Sequence, residues 1–123
     1  MATVSDVMTR DILTVARGAT LGQVARELRA RNVGSALVVD EAHALVGIIT
    51  ERELVNSVAA SRNPDVGLVE SWMIAEATTV EATSSLAEAS GLMRVHSVRH
   101  LPVTEDGRLV GIVSVRDLLA ATL

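Results

Sequence analysis

Two stretches of this 123-residue chain carry the same chemistry in the same order. Residues 111–118 read Gly-Ile-Val-Ser-Val-Arg-Asp-Leu, and residues 47–54 read Gly-Ile-Ile-Thr-Glu-Arg-Glu-Leu. Each closes an apolar run with a hydroxyl, a cation and a carboxylate. Ser114 with Asp117, and Thr50 with Glu53, have the spacing of a capping box, in which hydroxyl and carboxylate satisfy two orphan amides at a helix start. A cap asks for nothing more, yet Arg52 and Arg116 fall in the opening turn, where the helix dipole disfavours a cation by roughly 0.3–1 kcal/mol. A bound anion reverses that sign. Free amides, a hydroxyl and an Arg at a helix start together make a small phosphate-binding constellation. A carboxylate one turn in can accept hydrogen bonds from two neighbouring hydroxyls, as acids do when they hold a ribose. Sugar and phosphate in one place describe a nucleotide. The competing account is that the motifs only cap helices, and that the chain is a ligand-free dimerisation or protein-interaction module.

The elements that position these groups also come in duplicate. Met8 and Met73, Val15 and Val80, Leu21 and Leu86, Leu28 and Met93, and Val33 and Val98 pair at an offset of 65 residues, 73 against 8. From Leu45 with Leu109 onward the offset is 64, 109 against 45, so one residue is lost in between. The slip falls in a turn, residues 40–43 against 105–107, where a length change costs least. Each copy opens with a short strand, residues 12–15 and 78–80. An amphipathic helix follows, entered through Thr20 with Gln23 or Ser85 with Glu88. Its outer face carries Glu27 and Arg31 at i,i+4 spacing. Two strands then flank the turn, residues 36–39 with 45–50 and 101–104 with 109–114, and Asp106-Gly107 is a hairpin signal. A second helix ends each copy, at residues 51–60 and 115–121. The fold class is therefore α+β, an α/β sandwich of two pseudo-symmetric β-α-β-β-α repeats. Their expected limits are 1–61 and 68–123, joined by a linker at 62–67 around Asn63-Pro64.

Composition narrows the function classes. With 49% hydrophobic residues the chain can bury a core, which must be aliphatic because there is one Trp and no Phe or Tyr. Fifteen acids against eleven bases, all Arg, give a net charge of −4, and no basic run forms a nucleic-acid footprint. The absence of Cys excludes disulfides and thiolate metal sites. Apolar runs are strand-sized, too short to span a bilayer, and the N-terminus lacks the regions of a signal peptide. A cytoplasmic protein with no membrane or nucleic-acid partner is the expectation. His96 and His100 have a chelating spacing on a helix, but the helix is expected to end near Ser97 and no third ligand suggests itself. Trp72 reads as a packing anchor. No nucleophile sits in a Gly-x-Ser-x-Gly turn, so no catalysis and no catalytic residue is expected.

The tandem copy, the order of elements and the two closing motifs resemble a pair of CBS domains, the arrangement called a Bateman module. Residues 99–103, Arg-His-Leu-Pro-Val, and the entries at Met8 and Met73 add to the resemblance, which covers essentially the whole chain. It implies a non-catalytic regulatory module that binds AMP, ADP, ATP or S-adenosylmethionine in clefts between the repeats, requires no cofactor or metal, and signals to an effector protein. Carried over residue by residue, Asp117 would hold the ribose hydroxyls with Ser114 and Arg116 near the phosphate, and Leu13, Thr14, Ser35 and Ala36 would cover the base. In the other site Thr50 and Arg52 would take the phosphate side, with Thr79, Arg99 and His100 opposite. Glu53 departs from the family's usual Asp. Its extra methylene displaces the carboxylate, so the Asp117 site is expected to be the better one. The Ala-rich helix faces are expected to pair two chains as a homodimer.

Overall fold

The computed structural model describes residues 1–122. In chain order the first half contains α1 (Val4–Val7), β1 (Thr14–Ala16), α2 (Leu21–Arg31), β2 (Ser35–Val39), β3 (Leu45–Thr50) and α3 (Glu51–Ala59). A 3-10 turn at Val69–Ser71 and β4 (Ile74–Ala75) lead to β5 (Val80–Glu81), α4 (Leu86–His96), β6 (His100–Glu105), β7 (Arg108–Ser114) and α5 (Val115–Thr122). The expected β-α-β-β-α order holds in both repeats, β1-α2-β2-β3-α3 and β5-α4-β6-β7-α5. The opening strands begin later than the apolar pattern suggests, at Thr14 and Val80, because pairing with β2 and β6 starts there.

The chain forms two compact units, and they do not coincide with the sequence repeats. An early unit comprises Leu13–Glu76, and a late unit comprises Met1–Ile12 together with the chain from Ala77 onward. In the early unit the sheet order is β1-β2-β3-β4, and in the late unit β5-β6-β7. The β1–β2 and β5–β6 pairs are parallel, which requires a crossover, and α2 and α4 supply it. The β2–β3 and β6–β7 pairs are antiparallel hairpins. Between β6 and β7 the turn is two residues long, with φ of 51° at Asp106 and 77° at Gly107. Positive φ at both centres is what a type I′ turn demands, as the Asp-Gly pair signals. The longer loop of the early unit, residues 40–44, is instead organised by the Asp40 carboxylate, which accepts from the amides of Ala42 and Ala44, both at 2.9 Å.

Each unit has its own aliphatic core. Leu13, Leu21, Val24, Leu28, Ala36, Val38, Ile49 and Val69 form one, with Trp72 packed against it as an anchor. Val4, Val80, Ala82, Ala89, Met93, Leu101, Val103, Val113 and Leu118 form the other. The 62–67 stretch caps the start of α2, where Leu21 N donates to Gly67 O and Gly22 N to Pro64 O, each at 2.9 Å. Helices α2 and α4 end in left-handed residues, Asn32 and Ser97, so α4 stops where the sequence suggests. His96 and His100 consequently fall on a helix end and a strand, and the i,i+4 chelating arrangement does not form.

Exchanged entry segments account for the mismatch between repeats and units. Residues 1–12 complete the unit built from the second repeat. Residues 69–76 complete the unit built from the first, where β4 pairs with Gly47 and Ile48 of β3. Two matched glycines permit this. A Cβ on Gly111 would lie 2.6 Å from the Met8 sulfur and 2.9 Å from the Thr9 carbonyl oxygen. A Cβ on Gly47 would lie 2.6 Å from the Met73 sulfur and 2.9 Å from the Ile74 carbonyl oxygen. Glycine inside a strand marks close backbone approach, and here it does so twice.

Candidate functional site

The two closing motifs occupy equivalent strand-to-helix junctions, one in each unit. In the late unit β7 runs into α5 at Ser114. Its neighbour across the hairpin is His100, and the Arg99 carbonyl accepts from Val115 N at 2.9 Å. In the early unit β3 runs into α3 at Thr50. Its neighbour is Ser35, and the Gly34 carbonyl accepts from Glu51 N at 3.1 Å. Both junctions form the capping box that the spacing predicts, but they form it differently.

At Ser114 the two bonds are reciprocal and single. Ser114 N donates to Asp117 Oδ2 at 2.8 Å, and Asp117 N donates to Ser114 Oγ at 3.1 Å. The serine hydroxyl accepts without donating, so its proton remains available, and Asp117 Oδ1 takes no part in the cap. Among the described residues the Arg116 guanidinium has neither hydrogen bond nor ion pair, and it is exposed. At Thr50 one carboxylate oxygen does more. Glu53 Oε1 accepts from Thr50 N at 2.7 Å and from Thr50 Oγ1 at 2.7 Å, while Arg52 N donates to that hydroxyl at 3.2 Å. The threonine proton is thus consumed inside the protein, and Glu53 is only 6% exposed. Glu53 reaches the hydroxyl of its own cap at 2.7 Å, whereas Asp117 takes only the Ser114 amide.

The remaining expected site residues divide by unit. Leu13, Thr14, Ser35 and Ala36 lie in the early unit. Thr14 pairs with Leu37 across β1–β2, Leu37 N donates to Leu13 O at 2.9 Å, and Ser35 and Ala36 open β2 opposite Thr50 and Ile49. Thr79 lies in the late unit just before β5, with Arg99 and His100 at the start of β6. Each unit therefore brings together a junction motif and the first residues of the preceding strand. The sequence gives no account of the strand edges at these junctions. Thr9 pairs with Ile112, two residues before Ser114, and Ile74 pairs with Ile48, two before Thr50. The signal was present in Gly47 and Gly111, glycines inside apolar strands where another backbone passes close by.

Two apolar grooves lack this chemistry. An apolar groove of about 560 Å³ runs between α4 and α5, lined by Leu86, Met93, Val115, Leu118 and Leu119 with Arg94 at its edge. A second, of about 380 Å³, lies on α3 at Leu54, Val55, Val58 and Ala59. Neither offers a carboxylate for ribose hydroxyls, so the junctions, not the grooves, are the polar sites. Among the described residues no helix is long and apolar enough to cross a membrane, and no cluster of three His, Asp or Glu is placed to hold a metal ion.

Comparison with known proteins agrees with this architecture. The CBS domain profile matches residues 4–60 and 69–123. A 17.7 kDa protein of Acidianus ambivalens is 38% identical over 125 residues, covering 100% of this chain and 75% of that protein. A CBS-domain containing protein of Agrobacterium tumefaciens superposes with a TM-score of 0.93 at 31% identity, covering 99% of this chain and 100% of the other. A CBS domain protein of Pyrobaculum aerophilum, solved in complex with AMP, superposes with a TM-score of 0.89 at 28% identity, covering 99% and 100% of the two chains. With two matched repeats, two β-α-β-β-α units and near-complete structural overlap, the chain belongs to the CBS-domain family as a tandem CBS pair.

Proposed function

We propose that this chain is a regulatory sensor that binds an adenosine-containing ligand at the Ser114 to Asp117 junction and passes its occupancy to a partner protein. The observation that carries this reading is the unfinished chemistry there. The first turn of one helix carries a serine proton, a carboxylate oxygen and an exposed guanidinium without partners of their own. Asp117 Oδ1 would accept from the ribose hydroxyls, and Ser114 Oγ and Arg116 would meet the phosphate. The AMP complex of the Pyrobaculum protein supports the ligand class. Thr50 and Arg52, with Leu13, Thr14, Ser35 and Ala36 in the early unit and Thr79, Arg99 and His100 in the late unit, complete the proposed set of binding residues. The Thr50 to Glu53 junction is the weaker of the two because its hydroxyl proton is already held by Glu53 Oε1.

Thermal denaturation against AMP, ADP, ATP and S-adenosylmethionine tests the reading. A ligand selective for the native state at about 100 times its Kd adds about 2.7 kcal/mol of stability, and the expected result is a rise in Tm of several degrees with at least one member. Asp117→Ala is expected to abolish that rise while the unliganded protein stays folded. If no ligand moves the Tm, or if Asp117→Ala keeps the shift, the assignment is wrong.

The same module is proposed to act as a homodimer. The apolar grooves on α4–α5 and on α3 are flanked by solvent-facing aliphatic side chains, with Val55 65%, Val58 74% and Leu119 59% exposed. Such apolar faces on a small monomer mark an interaction surface, and a second copy presents the same surface.

A further inference from the structure

Residues 1–9 lie along the late unit as a strap. At its start Val4 N donates to Ser84 O and Ser5 N to Ala82 O, each at 2.9 Å, and at its end Thr9 and Ile112 exchange both backbone bonds, at 2.8 and 3.0 Å. Val4 is fully buried, and Val7 and Met8 pack on the same core. Because β7 is the last strand of its sheet, Thr9 covers an edge that would otherwise stand open two residues before Ser114. The seat is tight at one point, since any side chain at Gly111 meets the Met8 sulfur and the Thr9 carbonyl oxygen.

We propose that residues 1–9 open and close on β7 as a unit of their own, and that the closed strap holds the β7 end in the geometry that Ser114 and Asp117 need. Four backbone bonds and three apolar anchors attach the strap, against a continuous ladder between β6 and β7, so it belongs to the parts of the fold that open locally before the core does. Opening withdraws both bonds from Ile112 and frees the strand that leads into the α5 cap. The regulatory half of this inference rests on the proposed nucleotide site. A ligand that requires the ordered junction favours the closed strap, and by reciprocity strap closure favours the ligand. The strap is then the element through which occupancy is read out.

Hydrogen exchange by mass spectrometry on the full chain tests this, with and without AMP. Without ligand, residues 1–9 are expected to exchange faster than β6. Gly111→Ala is expected to accelerate residues 1–9 about tenfold or more and to speed the amides of residues 112–117, leaving α4 and β6 unchanged. Gly91→Ala, where an added Cβ meets nothing within 4 Å, is the control and is expected to change neither segment. Met8→Ala trims the strap without touching β7 and serves if Gly111→Ala does not fold. Exchange of residues 1–9 in step with β6, or acceleration of the strap with no change at 112–117, overturns the proposal. With AMP, residues 1–9 are expected to slow in the parent chain, and Gly111→Ala is expected to bind about tenfold more weakly. If AMP binds and the strap does not slow, the coupling is wrong. If AMP does not bind at all, the nucleotide reading falls, and the ligand-free exchange still decides whether the strap exists.

Discussion

The carboxylates at the two matched helix starts differ by one methylene, and the consequence reaches past the cap itself. Glu53 folds back to accept both the amide and the hydroxyl of Thr50, whereas Asp117 accepts only the amide of Ser114. A shorter acid holds the hydroxyl less closely, as at α1, where Asp6 Oδ2 accepts from Thr3 N at 2.8 Å but from Thr3 Oγ1 at 3.3 Å. Glu53→Asp is therefore expected to loosen the hold on the Thr50 proton, and isothermal titration with the ligand that binds the parent chain should show tighter binding at a second site. Unchanged stoichiometry or weaker binding counts against this account. Ser or Thr with an acid or Gln three residues on was legible in the sequence as capping at four helix starts, and the structure adds a fifth at Thr3 and Asp6. Which oxygen accepts which proton was not, because it depends on the side-chain torsions that burial of Glu53 selects.

The helices show that a shared motif need not be a shared energy. At α2 the box is complete, with Thr20 N donating to Gln23 Oε1 at 2.8 Å and Gln23 N to Thr20 Oγ1 at 3.2 Å. At α4 the Ser85 hydroxyl accepts from Glu88 N at 3.0 Å and donates to Glu88 Oε1 at 3.3 Å, and the Ser85 amide gains nothing from the carboxylate. Removing a cap typically costs about 1 kcal/mol. Thr20→Ala is expected to lower the urea midpoint by roughly that equivalent and Ser85→Ala by less, and equal losses would show that the returning bond to the Thr20 amide adds nothing. The Glu27–Arg31 pair forms at 4.0 Å between exposed side chains, so its loss is expected to change stability little. Helix and hairpin identities were readable because local periodicity and turn chemistry decide them. The one-turn helix α1 and the two-residue strand β4 were not, since segments that short are held by what they dock against.

At the scale of the whole molecule, the repeat and the compact unit are different objects. Residues 1–12 and 69–76 are each part of one repeat in sequence and of the other unit in space. Self-association is a further property of the whole chain. If the exposed apolar faces pair two copies, Val58→Arg and Leu119→Arg place charges in that contact, and sedimentation velocity should show the parent chain as a dimer and the double variant as a monomer. A parent chain that sediments as a monomer, or a double variant that remains dimeric, removes those faces from the interface.

Read alone, the sequence determined the two β-α-β-β-α repeats, the turn between β6 and β7, the ends of α4, and the two junctions where a hydroxyl, a guanidinium and a carboxylate meet. All of these follow from spacing within about a dozen residues, where backbone propensity and side-chain period act directly. Only the tertiary structure decided that Met8 sits on Gly111 and Met73 on Gly47, that the entry segments are exchanged, and that Glu53 holds the Thr50 hydroxyl proton while Asp117 leaves that of Ser114 unclaimed. Those outcomes depend on which surfaces, distant in sequence, bury one another, and no local pattern encodes that choice.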